Sequence, residues 1–271
     1  MVEDTTIRRF QDMRLAVANS KGGAGKTVTA LHIATRWAAL GCRVLAIDTD
    51  PQSSLSHWLG VEDPQGSFAN SIVNRSSLSG SIMPTGIDNL DLIPASIHLA
   101  NAERDLVNQI AGELVLSRLI DEVAPDYDAV VIDCVGDNGV LAWGSIIAAK
   151  NVVIPVELSY LSVHGLSALQ IAIDHLQSVI DDPISILGVV GCRTRPREIH
   201  SADCMLLLKE HFGNLLLDTT ARDSVKMREA AGNHQSIFDY APKSAIAADM
   251  AAIGDELLKR MKGMNHERKA A

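Results

Sequence analysis

The segment Lys21-Gly22-Gly23-Ala24-Gly25-Lys26-Thr27 brings three glycines, two lysines and a threonine into seven residues. Glycines let successive backbone N–H groups turn toward one anion, and a helix starting where the loop ends adds the positive end of its dipole. A lysine at that point reaches the β- and γ-phosphates of a nucleotide, and the next hydroxyl can ligate Mg2+. The usual spacing, GxxxxGK[ST], asks for glycine at position 20, where this chain has Ser20; Lys21 stands at the loop entrance instead. By average residue usage, KGGxGK[ST] arises by chance in on the order of one such chain in ten thousand. The competing reading is a glycine-rich turn with surface lysines. The flanks decide against it. An apolar run from Arg14 to Ala18 enters the loop, and Ala30, Ile33, Ala34, Trp37 and Ala38 follow at helical spacing, with Gly41 as the closing C′ residue.

Phosphoryl chemistry also needs a metal shell and an oriented water. Asp133 ends the apolar run 128–133, and strand-end carboxylates face the site in open α/β sheets. Its plain alternative is a turn cap. Asp48 and Asp50 flank Thr49 at the end of the run 43–48, so a period of two sends both carboxylates the same way. One of the pair suits the metal shell and the other the attacking water, while Asp50-Pro51 also reads as a turn initiator.

These residues need strands that end together. Short β-branched runs at 14–18, 43–48, 90–93, 128–133, 151–154 and 184–190 read as strands. Helical stretches lie at 26–40, 97–124, 140–149, 163–180, 200–212 and 244–262, the last with Ile246, Met250, Ile253, Leu257 and Met261 along one stripe. Continuously apolar strands separated by helices predict an α/β fold: a mostly parallel twisted sheet with helices on both faces. The Ser/Gly/Asn-rich region 65–89 reads as an excursion. The expected organisation is one domain over 1–271, with a short amino-terminal extension (1–12) and a tail after the last helix.

Composition removes several classes. With 47% hydrophobic and 21% charged residues among 271, the chain is not disordered. The apolar stretch 145–158 is broken by Lys150 and Asn151 and falls short of the roughly 18 residues a membrane span needs. Met1 to Met13 hold no apolar core of a secretory signal. Cys42, Cys134, Cys192 and Cys204 are scattered, which reads as buried thiols of a cytoplasmic protein. Only 4% aromatic residues argue against a base-stacking single-strand binder. The net charge is −9, unevenly spread: residues 1–182 hold 11 Lys/Arg against 22 Asp/Glu, and the remainder 13 against 11.

The loop resembles the deviant Walker A loop of the ParA/MinD family of P-loop ATPases. Val44 to Gln52, reading VLAIDTDPQ, is similar to that family's second strand and switch I in its ParA branch. Tyr127 to Cys134 (YDAVVIDC) resembles its Walker B strand, and Val152 to Glu157 (VVIPVE), followed by His164, Gly165 and Leu166, its next strand and helix start. The likeness runs from about 13 to 260. It implies that Lys21, Gly22, Gly23, Ala24, Gly25, Lys26, Thr27 and Val28 bind ATP, that Thr27, Asp48 and Asp133 form the Mg2+ shell, and that Asp50 positions the water. It also implies that Lys21 crosses an ATP-dependent homodimer to the partner's phosphates, so that Lys21, Lys26 and Asp50 are the catalytic set. One departure stands out. The family usually follows Walker B with two prolines, whereas this chain has Val135 and Gly136, a more flexible switch II.

The carboxy-terminal third carries Arg193, Arg195, Arg197, Arg222, Lys226 and Arg228. Arg222 to Ala230 (RDSVKMREA) resembles the ParA stretch that contributes to non-specific DNA binding, which needs phosphate neutralisation and no base readout. The resemblance implies a nucleoid-associated partition ATPase stimulated by a ParB-like protein. Alternatives on the same core are a positioning ATPase for a protein cargo and a MinD-like membrane-cycling regulator. A nitrogenase-type iron–sulfur reductase would need a pair of cluster cysteines that these four do not supply. Lys259, Arg260 and Lys262 beside the last apolar stripe would suit a membrane helix, but Asp255, Glu256 and the plain tail favour core packing, without stable membrane association.

Overall fold

The computed structural model describes residues 13–63, 65–158, 183–195 and 199–270, together with Ile173 and Gln177. The expected extension 1–12, most of the helix at 163–180, His164 to Leu166 and Arg197 lie outside the described residues. Among the described residues, eight strands form one sheet: β1 (Met13–Val17), β2 (Val44–Asp48), β3 (Met83–Pro84), β4 (Leu90–Ile93), β5 (Ala129–Asp133), β6 (Asn151–Glu157), β7 (Ser185–Thr194) and β8 (Ala221–Arg222). Their order is β3-β4-β2-β5-β1-β6-β7-β8, with only β3 antiparallel to its neighbour.

A strand buried on both faces sends alternate side chains to opposite sides. In β1, Leu15 and Val17 join one core with α1 (Lys26–Ala39) and the stripe of the last helix, α10 (Ala245–Ala270). Ala16 joins the other core, built with α3 (Ser67–Asn74), α4 (Leu99–Val107), α5 (Glu113–Val123) and α6 (Val140–Ala149). Further α-helices among the described residues are α2 (Ser54–Trp58), α7 (Ile199–Phe212), α8 (Val225–Gly232) and α9 (Ile237–Tyr240).

α1 ends as its sequence predicts. Gly41 takes φ +90°, Cys42 N–H donates to Trp37 O at 3.1 Å and Gly41 N–H to Ala38 O at 2.9 Å, a Schellman closure. The stripe of α10 is buried against α1, where Trp37 Nε1 donates to Gly254 O at 2.9 Å and Arg36 makes a two-pronged pair with Asp255. Core packing is thus the role of this helix, and it runs further than the expected 262.

Two expectations change, and two strands are new. The single helix expected over 97–124 is split into α4 and α5. Ala111 adopts φ +56°, and a Cβ on Gly112 would sit 2.2 Å from Leu106 O, so the chain reverses where only glycine fits. The region 65–89 is no excursion, because Phe68, Ile72 and Leu78 are fully buried in the core. The two-residue strands β3 and β8 were too short to show any periodicity.

A buried histidine ties α1 to the carboxy-terminal segment. His32 Nδ1 donates to Val28 O at 2.6 Å, and Nε2 accepts from Ile237 N–H at 3.0 Å, so the ring must be neutral. Burial lowers its pKa to about 4, against smaller raising effects of the Val28 carbonyl and Asp239. The unfolded state takes up a proton first, so the stability that His32 contributes is complete above pH 6.5 and is lost as the pH falls toward 4. Between pH 7 and pH 5, wild type should lose about 2 kcal/mol more than His32→Gln, judged by denaturant unfolding at both pH values. Equal losses would mean that the ring does not titrate as described.

Candidate nucleotide site

Strand register brings the site together. Val17, Asp133 and Asp48 are partners across β1, β5 and β2, so the loop and both carboxylates emerge at one row of strand ends. This is the carboxyl-end crevice where open α/β sheets bind ligands. Gly23 and Gly25 take φ +74° and +99°, which turn the loop over the amino terminus of α1. Lys26 is the first residue of α1 and is buried, only 9% exposed. A Cβ on Gly25 would press on Cys192 Sγ at 3.3 Å, so the loop lies tight against β7.

The two buried carboxylates are used differently. Asp48 Oδ2 accepts from Ser56 N–H at 2.9 Å and Ser56 Oγ at 2.7 Å, and Oδ1 from Asp50 N–H at 3.1 Å. It spends its acceptors on the loop after β2, where the resemblance expected a metal ligand. Burial pushes its pKa up, with the Ser56 and Asp50 hydrogen bonds opposing. Asp133 is the reverse case: both oxygens are buried and lack a hydrogen-bond partner. Burial, and then the charge of Asp48, hold its pKa well above the ordinary range; the Thr27 hydroxyl and Lys26 ammonium favour the ionised form. An orphaned buried carboxylate beside a loop hydroxyl fits a hard divalent cation, whose oxygen ligands would be these two groups.

Asp50 is a turn residue placed at the cleft. Its Oδ1 accepts from Gln52 N–H at 2.9 Å, an Asx turn, and the residue also lines the cleft. Thr49 between them is buried, its Oγ1 donating to Asp133 O at 2.9 Å, which locks the two strand ends together.

The cleft measures about 450 Å³. Gly22, Gly23, Gly25, Lys26, Thr27 and Val28 line one side, and Asp50, Ser54 and Trp58 an edge. The rest of the lining comes from the chain between β7 and α10: Cys192, Arg193, Ala221, Ser224, Met227 and Ile246. Arg222 and Arg228, expected on a DNA surface, line this same cleft. Both are paired, Arg222 two-pronged with Asp249 at 2.5 and 2.7 Å and Arg228 with Asp223 at 3.0 Å; Asp223 also meets Arg195 at 3.3 Å. Lys226 is exposed on α8 and does not line the cleft. Lys21 pairs within its own chain: Nζ lies 3.1 Å from Glu157 Oε2, whose other oxygen is 3.3 Å from Arg193. Ser56, Glu157, Trp58 and Met227 carried no sequence signal of a role here: Ser56 lies eight residues beyond Asp48 in no recognisable spacing, and Glu157 and Trp58 meet partners far away in the chain.

A strand–loop–helix phosphate cradle at the centre of a parallel sheet, with two strand-end carboxylates beside it, defines a P-loop nucleotide-binding protein. The AAA domain family matches residues 13–186. Sporulation initiation inhibitor protein Soj of Bacillus subtilis is 33% identical over 232 residues, 85% of this chain and 92% of Soj. Apo McdA of Cyanothece superposes with TM-score 0.82 at 25% identity, covering 90% of this chain and 98% of McdA. Cobyrinic acid a,c-diamide synthase of Mycobacterium smegmatis, solved with ADP and magnesium, gives 0.79 at 28% identity, covering 92% and 94%. The chain belongs to the ParA/MinD family of deviant Walker A ATPases.

Asp133→Asn should separate stability from binding. Because the native pKa is raised, ionised Asp133 costs stability as the pH rises toward neutrality, and an amide removes that cost. Nucleotide-free Asp133→Asn should be more stable than wild type at pH 7.5 by about 1–3 kcal/mol, while losing the part of ADP-induced stabilisation that depends on Mg2+. Unfolding curves with and without ADP and Mg2+ measure both; a destabilised variant would contradict an uncompensated carboxylate.

Proposed function

We propose that this protein is a Mg2+-dependent ATPase of the partition type, forming an ATP-bound dimer that holds double-stranded DNA without sequence preference. Stimulation of hydrolysis by a ParB-like partner would release it and move a plasmid or chromosome region. The observation that carries the reading is the glycine-rich loop lining the cleft while the buried, unpartnered Asp133 ends the strand paired with Val17, just before that loop.

The division of labour follows from position. The amides of Gly22 to Thr27 and the Lys26 ammonium hold the phosphates. Thr27 and Asp133 hold Mg2+, which when bound neutralises phosphate charge. Asp48 keeps the loop carrying Asp50 in place through Ser56 and the Asp50 amide. Asp50, at the cleft edge, orients the water that attacks the terminal phosphate. Lys21 leaves Glu157 to meet the partner subunit's phosphates, adding positive charge where negative charge builds up.

Asp50 is tested by two substitutions. Asp50→Ala should retain ATP binding and lose about 10²-fold in turnover. Asp50→Asn keeps an acceptor for Gln52 N–H, so an equal loss assigns the defect to chemistry, whereas recovered turnover would make Asp50 a turn residue only.

DNA binding must arise on a chain of net charge −9 whose Arg222 and Arg228 already face carboxylates. Lys226 and its dimer mate are then prominent contacts, and a protein-cargo system is the second reading that this pairing favours. On random-sequence duplex, a mobility shift should need ATP, weaken with salt by about 0.9 logarithmic unit per neutralised phosphate, and diminish in Lys226→Glu. No shift at low salt would favour the protein-cargo reading.

A further inference from the structure

Gly136 stands where the family carries proline, and the structure gives that glycine a use. A Cβ built on it would lie 2.8 Å from Lys26 Nζ and 3.8 Å from Lys26 Cε, with no other described residue beyond its two chain neighbours within 4 Å. Gly136 does not have a positive φ, so its backbone does not require glycine. Only the lysine does. The ammonium therefore rests directly over a bare Cα, buried, close enough to Asp133 to favour its ionised form without a hydrogen bond to it.

We propose that Gly136 is a positioning residue: its bare Cα is a seat that holds the Lys26 ammonium near Asp133 while the cleft is free of nucleotide, and that phosphate must draw the lysine out of it. The inference rests on the nucleotide-site reading above and adds a resting place for its central cation. In the resting state Lys26 partly compensates Asp133. On binding, the ammonium turns to phosphate and the metal takes over that compensation. The identity of residue 136 then sets how much affinity is spent on releasing the lysine, because apparent affinity scales with the fraction of protein in the binding-competent arrangement. A proline or alanine here fills the seat and leaves the lysine directed at the phosphates beforehand.

Gly136→Ala is a clean probe, since the atom it meets is the end of a flexible chain that can move by about 0.7 Å to reach ordinary contact. Lys26→Met is its partner, because it removes Nζ and keeps an atom near the Cε position, at an ordinary distance from the new methyl. In nucleotide-free protein, Gly136→Ala should lower Tm by about 2 °C in the Lys26 background. In the Lys26→Met background the same change should be neutral or slightly stabilising, as for a glycine whose φ suits alanine. With Lys26 present, Gly136→Ala should also tighten ADP binding about three- to tenfold in an equilibrium titration without turnover. The same Tm change in both backgrounds, or weaker ADP binding by Gly136→Ala, would overturn the seat. If wild type bound no nucleotide, the nucleotide-site reading would fail instead, and the Tm cycle would still report on the seat.

Discussion

The structure turns on two buried carboxylates placed side by side at register-matched strand ends. Asp48 and Asp133 share a row of the parallel sheet, and neither gains from being there for folding alone. Burial of charge in low dielectric disfavours ionisation, and each carboxylate worsens it for the other. The chain answers the two costs unequally. Asp48 is repaid by two backbone amides and a serine hydroxyl, so it becomes part of the scaffold of the following loop. Asp133 has no hydrogen bond of good geometry, and its charge is offset only by the nearby Thr27 hydroxyl and the Lys26 ammonium. An unpaired buried carboxylate beside a loop hydroxyl and an ammonium has the donor set that a hard divalent cation would use.

The rest of the fold delivers groups to that pair. β1 lies between β5 and β6, so the loop after it opens beside Asp133 without any long-range adjustment. His32, one turn beyond the loop, bonds the backbone of Ile237 and packs edge-on to Trp58 and Phe238. Trp58 Nε1 in turn donates to Gln235 O at 2.8 Å. The helix after the Asp50 loop and the carboxy-terminal segment are therefore fastened to the same helix that carries Lys26.

Charge pairing changes the meaning of the basic third of the chain. As a sequence, 222–230 is a cluster of cations beside a helix. In the structure, Asp249 and Asp223 neutralise Arg222 and Arg228 and fix them as cleft wall, and Asp223 also gathers in Arg195. Partly buried, two-pronged pairs such as Arg222–Asp249 hold a surface in one shape better than exposed single contacts do. A cation so held is costly to lend to DNA, and the exposed Lys226 is not.

Much of this was legible in the residue order because the information is local. Glycines at 23 and 25, a lysine opening a helix, apolar runs ending in aspartate and Gly41 after the last helical turn each follow from the conformational limits of a few neighbours. The six main strands, the phosphate loop and the parallel sheet came from that source. What lay beyond it is what depends on partners distant in the chain. Nothing local says that Ser56 takes Asp48, that Glu157 holds Lys21, that Asp249 removes Arg222 from the free cations, or that the Lys26 ammonium fits over Gly136. The sequence by itself determined which groups could do the chemistry and which strands would carry them. Only the tertiary structure decided which of those groups are already engaged, because hydrogen-bond satisfaction and charge compensation are settled by packing across the sheet.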